Sequence, residues 1–185
     1  MSNKTIGVLV GSLRRDSFSQ KVAQYLGNLL EKRFTVTFLD IGSLSMYNQD
    51  LENEVDIPQE WLRFRQEVKA LDAVLFVTPE YNRSMPPVLK NALDVASRPM
   101  VANAWKGKPG AVVSVSPGAI GGFGVNHHLR QSATCLNIYM MSQPEAYIGG
   151  VADSMDAEGV SEKRIQEFLR KFADDFVDWI NRLTA

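Results

Sequence analysis

Thr5-Ile6-Gly7-Val8-Leu9-Val10-Gly11-Ser12-Leu13-Arg14-Arg15-Asp16-Ser17-Phe18-Ser19 changes its periodicity once, and that change decides the fold. Residues 5–10 are a near-continuous apolar run, the pattern of a strand buried on both faces, and Gly11 ends it. From Ser17 onward Phe18, Val22, Tyr25, Leu26, Leu29 and Leu30 recur at helical intervals, with Gln20, Lys21, Gln24 and Asn28 between them. A buried strand that feeds an amphipathic helix through a short polar loop is the opening of a βα unit.

The alternation continues to the end of the chain. Strands are expected at Phe34 to Asp40, Ala73 to Val77, Ala111 to Val115 and Ile138 to Met141. Helices fall between them: Pro58 to Ala70, Pro86-Pro87 through Val95, and a face marked by Val125, Leu129, Ala133 and Leu136. A final helix carries Ile165, Phe168, Leu169, Phe172, Phe176, Trp179, Ile180 and Leu183 as one apolar stripe. Five strands joined by helices imply right-handed crossovers, a central parallel sheet with helices on both faces, and ligands at the carboxyl ends of the strands. With 185 residues, 45% hydrophobic and 22% charged, the chain suits one domain over residues 1–185.

Composition removes several function classes. Lys and Arg total 20 against 21 Asp and Glu, a net charge of -1 that gives no pull toward nucleic acid or an anionic membrane. One cysteine excludes an internal disulfide, and Cys135, set in a helical apolar pattern, is read as a buried structural thiol. His127 and His128 are the only histidines, too few for a zinc-type cluster. No signal-like leader and no apolar run of membrane-spanning length occurs, so the cytoplasm is the expected compartment.

Three loops carry the chemistry. The first, Gly11 to Ser19, gathers hydroxyls and two guanidinium groups at a helix start, where unpaired amides and the positive dipole end favour an anion. Each charged hydrogen bond there contributes about 1.5–3 kcal/mol, so a phosphate monoester can be held without a lysine or a metal. The Walker and dinucleotide patterns both fail: no Gly-Lys-Ser/Thr closes the loop, and only Gly7 and Gly11 lie near the turn. Helix capping by Ser17 or Asp16 would explain one hydroxyl and leave Ser12, Arg14 and Ser19 unexplained. Asp40, without that glycine pattern, reads as a strand-end or turn residue. The second loop, Thr78 to Pro87, and the third, Ser116 to Gly124, should complete a cleft along the same sheet edge, its glycines letting backbone amides approach a flat ring.

On these residues the sequence resembles the NADPH-dependent FMN reductase family of the flavodoxin-like fold, which includes bacterial quinone, chromate and azo-dye reductases. The resemblance rests on Gly11-Ser12-Leu13-Arg14 with Ser17-Phe18-Ser19, and on Pro79-Glu80-Tyr81-Asn82 with Leu89-Lys90-Asn91-Ala92-Leu93-Asp94. It extends through Ile120-Gly121-Gly122 to His128-Leu129-Arg130-Gln131. It implies a three-layer sandwich with strand order 2-1-3-4-5, in which Ser12, Arg14, Ser17, Phe18 and Ser19 surround an FMN phosphate. Pro79, Glu80, Tyr81 and Asn82 would contact the ribityl chain and ring, and Ser116 and Gly118 would border the ring. It also implies an NADPH or NADH donor, small electron acceptors such as quinones, chromate, azo compounds or free flavin, and a homodimer or homotetramer. The segment Leu44-Ser45-Met46-Tyr47-Asn48 would then either help build a subunit interface or fold onto its own subunit.

Two positions depart from the family's pattern. Ser19 stands where relatives often carry Asn, a mild change because a hydroxyl still donates. Arg83 stands where many carry an aromatic residue or glycine; it attracts an anionic acceptor or the nicotinamide cofactor's phosphate, or remains a solvated charge, the reading preferred here. Because the flavin performs the bond chemistry, no side chain is required as a nucleophile, and Glu80 is expected to anchor its loop through backbone amides. A flavodoxin-type one-electron carrier is the main alternative, although such carriers are usually strongly acidic. A phosphoacceptor signalling domain would need acidic residues at the ends of the first and third strands, where Gly11 and Thr78 stand.

Overall fold

The computed structural model describes residues 4–53 and 55–184. Its elements follow the expected order: β1 (Thr5–Val10), α1 (Phe18–Leu30), β2 (Thr35–Phe38), α2 (Gln59–Lys69), β3 (Ala73–Pro79) and α3 (Pro87–Ala96). β4 (Pro109–Val115), α4 (Phe123–Cys135), β5 (Tyr139–Met140), β6 (Ala146–Ile148) and α5 (Lys163–Leu183) complete the chain. All strand pairs are parallel, in the order β2-β1-β3-β4-β5, which is the flavodoxin-like sheet.

Strand alternation explains why helices cover both faces. Ile6, Val8, Leu75, Val77, Ala111 and Val113 point to one side and pack with Val22, Leu26, Leu169, Phe172 and Phe176 of α1 and α5. Leu9, Val74, Phe76 and Val112 point to the other and pack with Trp61, Phe64, Leu89, Leu93 and Leu129 of α2, α3 and α4. Each such side chain contributes about 1.5–3 kcal/mol on burial, so neither face of the sheet could be left bare.

The fifth lane departs from expectation. Instead of one strand near Ile138 to Met141, two short strands share the outer edge of β4: β5 pairs with Pro109 and Gly110, and β6 pairs with Val113, Ser114 and Val115. The chain leaves the sheet between them over residues 141–145, where Pro144 has no amide hydrogen for a ladder. Asn126 and Arg130 of α4 brace this gap: Asn126 Nδ2 donates to Ala146 O at 3.2 Å and Arg130 Nη1 to Met141 O at 2.7 Å.

Cys135 is a second correction. It is the last residue of α4 and is exposed, because the core face of that helix runs through Val125, Leu129 and Ala133. The segment Leu44–Asn48 packs against α2 and α3 of its own chain and leaves Met46 exposed. Ser45 O accepts from Trp61 Nε1 at 3.1 Å and from Asn91 Nδ2 at 3.0 Å, Tyr47 N donates to Asn91 Oδ1 at 2.8 Å, and the Tyr47 ring stacks on Trp61. Asp40 closes a turn, its Oδ1 accepting from Gly42 N at 3.0 Å and Ser43 N at 3.3 Å. The Ser43 hydroxyl, followed by these amides, holds the Asp40 carboxyl below the ordinary carboxylate range.

Candidate active site

The sheet order reverses between β1 and β3, so the loops that follow these two strands part and leave a crevice at their carboxyl ends. Gly11 begins the first loop and holds it against the second: Gly11 N donates to Val77 O at 2.9 Å, and a Cβ on Gly11 would lie 2.3 Å from Thr78 Oγ1. Only hydrogen fits between these strands. Across β3, β4 ends at Val115 and delivers the third loop to the same edge.

A cavity of about 170 Å³ opens where the three loops meet. Ser12, Arg14, Ser17, Phe18 and Ser19 line it from the first loop and the start of α1, Pro79, Glu80 and Tyr81 from the second loop, and Ser116 from the third. Of the eleven residues expected here, Asn82 and Gly118 lie outside its walls: Asn82 is at a hairpin tip and Gly118 is exposed, its N donating to Ser116 Oγ at 3.1 Å. Val115 and Pro117 line the cavity and were missed. A strand-end valine and a proline carry no polar signal that would single them out in sequence.

The donor set suits a phosphate. Ser17 caps α1, its Oγ accepting from Gln20 N at 3.2 Å while its carbonyl accepts from Lys21 N at 3.1 Å. The Phe18 and Ser19 amides, which no earlier turn can reach, are left to an outside acceptor at the positive end of a 13-residue helix. The Ser12, Ser17 and Ser19 hydroxyls and the exposed Arg14 guanidinium stand with them. Glu80 is the one carboxylate in the wall, and it is engaged elsewhere. Its Oε2 accepts from Val125 N at 3.0 Å, in the first turn of α4, as expected of a loop anchor.

The third loop is fixed from behind by β6 and the residues after it. Ser116 N donates to Ile148 O at 2.9 Å, Val151 N to Ser116 O at 3.3 Å, and Gly150 N to Gly118 O at 3.3 Å. Gly121, at φ +65°, passes so near the Tyr147 backbone that a Cβ would lie 2.6 Å from its carbonyl carbon. Beside this contact Phe123, His127 and Tyr147 form an aromatic cluster, with Tyr147 Oη 3.1 Å from His127 Nε2. Burial, then the Glu145 carboxylate beside it, pushes the Tyr147 phenol up to about 12. Ala146-Tyr147-Ile148 followed by Gly149-Gly150 is a short strand with a turn signal, which could have located β6 in the sequence.

A larger concavity of about 640 Å³ lies beside α2, lined by Tyr47, Ile57, Leu62, Arg65, Pro99 and Met100 among others, and none of the three loops reaches it. Its size does not make it the reaction site, because it holds neither the helix-start amides nor the strand ends. Among the described residues no group of three or more His, Cys, Asp or Glu side chains could hold a metal ion, and no helix is long and apolar enough to cross a membrane.

Comparison with known proteins agrees with this geometry. The model of the NADPH-dependent FMN reductase family matches residues 5–153, a span that includes all three loops. A quinone reductase of Pseudomonas putida is 51% identical over 176 residues, covering 95% of this chain and 94% of its own. A 2-hydroxy-1,4-benzoquinone reductase of a Burkholderia species is 45% identical over 176 residues, covering 95% of each. Among solved structures, FerB, a flavoenzyme NAD(P)H:(acceptor) oxidoreductase of Paracoccus denitrificans, superposes with a TM-score of 0.90 at 44% identity, covering 97% of this chain and 98% of its own. From loop chemistry, sheet order and sequence together, the chain belongs to the NADPH-dependent FMN reductase family.

Proposed function

We propose that this chain is one FMN-binding domain that oxidises NADPH or NADH and reduces quinones or similar small acceptors. The observation that carries the reading is the convergence of the three loops on one cavity whose polar wall donates hydrogen bonds, with its single carboxylate turned to a backbone amide. The phosphate of FMN fits the start of α1, held by the Ser12, Ser17 and Ser19 hydroxyls, the Phe18 and Ser19 amides and Arg14. At about 170 Å³ the cavity is smaller than the roughly 300–1,000 Å³ usual for a whole ligand. It therefore suits the phosphate end, with the ring on the rim between Pro79, Glu80, Tyr81 and Asn82 on one side and Ser116 and Gly118 on the other.

When bound, FMN supplies the hydride chemistry, accepting two electrons and a proton from the nicotinamide and passing them to the acceptor. The residues orient and exclude. Pro79 and the Ser116–Gly118 turn stiffen the two rims, and Tyr81, on the same rim as Pro79, is open to solvent beside the ring position. In the overall balance NAD(P)H, one solvent proton and a quinone give NAD(P)+ and a hydroquinone. No side chain forms a covalent bond to substrate.

The test is an anaerobic absorbance experiment on the FMN-loaded protein. NADPH alone should bleach the flavin, and a small quinone should restore it in one two-electron step, giving parallel double-reciprocal plots in the steady state. A flavin that stays oxidised with both NADPH and NADH, yet is reduced by a partner reductase, would identify a one-electron carrier and sink the reading. The reading extends to a cytoplasmic homodimer or homotetramer. Met46, Met100 and Val101 expose large apolar side chains that suit a subunit contact, and light scattering decides the assembly.

A further inference from the structure

Glu80, Tyr81, Asn82, Arg83 and Ser84 form a miniature hairpin at the rim of the cavity. Tyr81 N donates to Ser84 O at 3.0 Å and Ser84 N to Tyr81 O at 2.9 Å, with Asn82 and Arg83 as its two-residue tip. Both tip residues lie in the left-handed region, at φ +50° and +66°. This is the type I′ geometry, whose second position belongs by backbone preference to glycine. An arginine there opposes the local preference of the chain.

The surroundings compel that conformation. α4 packs on the Arg83 carbonyl so closely that a Cβ on Gly124 would lie 2.7 Å from the oxygen. His128 Nδ1 meets Ser84 Oγ at 3.0 Å and fixes the hairpin's return strand. A non-glycine residue in strained backbone, held by its neighbours at the edge of a binding site, points to a function of its side chain. That side chain is 75% exposed and its Nη1 lies 3.4 Å from Glu80 Oε1, a long ion pair in solvent that does little to retain it. Both neighbours on the hairpin's first strand, Glu80 and Tyr81, line the cavity. The guanidinium is thus carried at the rim over which an acceptor must pass, free to leave Glu80 for another anion.

We propose that Arg83 is a specificity-determining residue that selects acceptors carrying a negative charge, such as quinones with an ionised hydroxyl, carboxylate or sulfonate. This rests on the quinone reductase reading. The guanidinium pairs with the acceptor's anionic oxygen by charge-assisted hydrogen bonds and holds the molecule against the ring edge. Arginine is preferred to lysine because its planar fork presents several N–H groups together to the oxygens of an anionic group.

The experiment compares FMN-loaded parent, Arg83→Gln, Arg83→Lys and Arg83→Gly with a neutral and a sulfonated naphthoquinone, each with NADPH and with NADH. The readout is kcat/KM for sulfonated over neutral quinone, a ratio in which the intrinsic reactivities cancel between variants. In Arg83→Gln and Arg83→Gly this ratio should fall by roughly three- to tenfold, and the parent ratio should fall as salt is raised. Arg83→Lys should recover part of it, and Arg83→Gly should melt above the parent as the backbone strain is relieved. Three outcomes overturn the assignment: an unchanged ratio, a parent ratio insensitive to salt, or a selective loss with NADPH that NADH does not share, which would mean that the guanidinium reads the donor's phosphate. A parent that reduces neither quinone overturns the reductase reading itself, a separate result.

Discussion

Replacing Gly11 with alanine should damage stability and cofactor retention together. The added methyl would lie 2.3 Å from Thr78 Oγ1, 2.9 Å from Thr78 Cβ and 3.3 Å from Pro79 Cδ. Gly11 is not among the residues with positive φ, so alanine could adopt its backbone, and steric contact alone sets the cost. Thr78 cannot rotate away freely, because it is fully buried and its hydroxyl donates to Pro79 O at 2.9 Å. Overpacking of this kind costs about 1–3 kcal/mol, which for a chain of this length lowers Tm by about 3–10 °C. The strain falls where the first loop meets the second, so the phosphate end of the cavity should open and the FMN dissociation constant should rise. Calorimetry with and without added FMN, together with flavin fluorescence titration, measures both. Thr78→Ala removes the shortest contact, so Gly11→Ala/Thr78→Ala should be more stable than the summed single costs by at least about 0.5 kcal/mol. If the single variant melts and binds like the parent, or if the two changes simply add, the proposed wedge between β1 and β3 is wrong.

Arg14→Ala should weaken FMN binding by about ten- to a hundredfold, the loss of a charged hydrogen bond of roughly 1.5–3 kcal/mol, while the melting temperature without FMN stays at the parent's. Equal retention in equilibrium dialysis would remove Arg14 from the phosphate site. The third prediction concerns pH. The Tyr147 phenol is raised from 10.0 in the unfolded chain to about 12 in the fold, so the native state holds the proton more tightly. Its contribution is therefore fully present below pH 10 and lost as the pH climbs toward 12. Parent protein should destabilise across that window more steeply than Tyr147→Phe in denaturant titrations at stepped pH. Parallel curves, or an ultraviolet titration showing every tyrosine ionising at the ordinary value, would contradict the burial argument.

Much of this architecture was legible because local and global preferences agree. Residues 5–10 are apolar without alternation since β1 lies between β2 and β3 under helices on both faces, and Ser17 appears where a helix needs a cap. The first loop stands out as a candidate anion site because hydroxyls, guanidinium groups and a helix start coincide within nine residues, Gly11 to Ser19. β6 was hidden for the opposite reason. Its three residues carry no periodicity, so only the Gly149-Gly150 turn signal that follows marks it, and its place along Val113–Val115 of β4 is set by tertiary pairing. Cys135 stands near apolar residues in sequence but off their face: Val125, Leu129 and Ala133 follow at four-residue intervals, and a residue two beyond Ala133 is turned away from the core. The aromatic cluster of Phe123, His127 and Tyr147 joins two elements about 20 residues apart, a pairing that exists only after the sheet has formed.

The divided last lane also marks where the chain can change its length. β5 fixes its register at Pro109 and Gly110, and β6 fixes its own at Val113 to Val115, so Ser142 to Glu145 carry no pairing that an added or deleted residue would shift. A continuous strand would pass any such change along its whole ladder and turn every following side chain to the wrong face. Here the first half stays docked against α4 while the second half, which backs the Ser116 to Gly122 loop, can be re-spaced by itself. The Ser116 rim of the cavity can thus be remodelled at one point of the chain without re-registering the sheet that supports it.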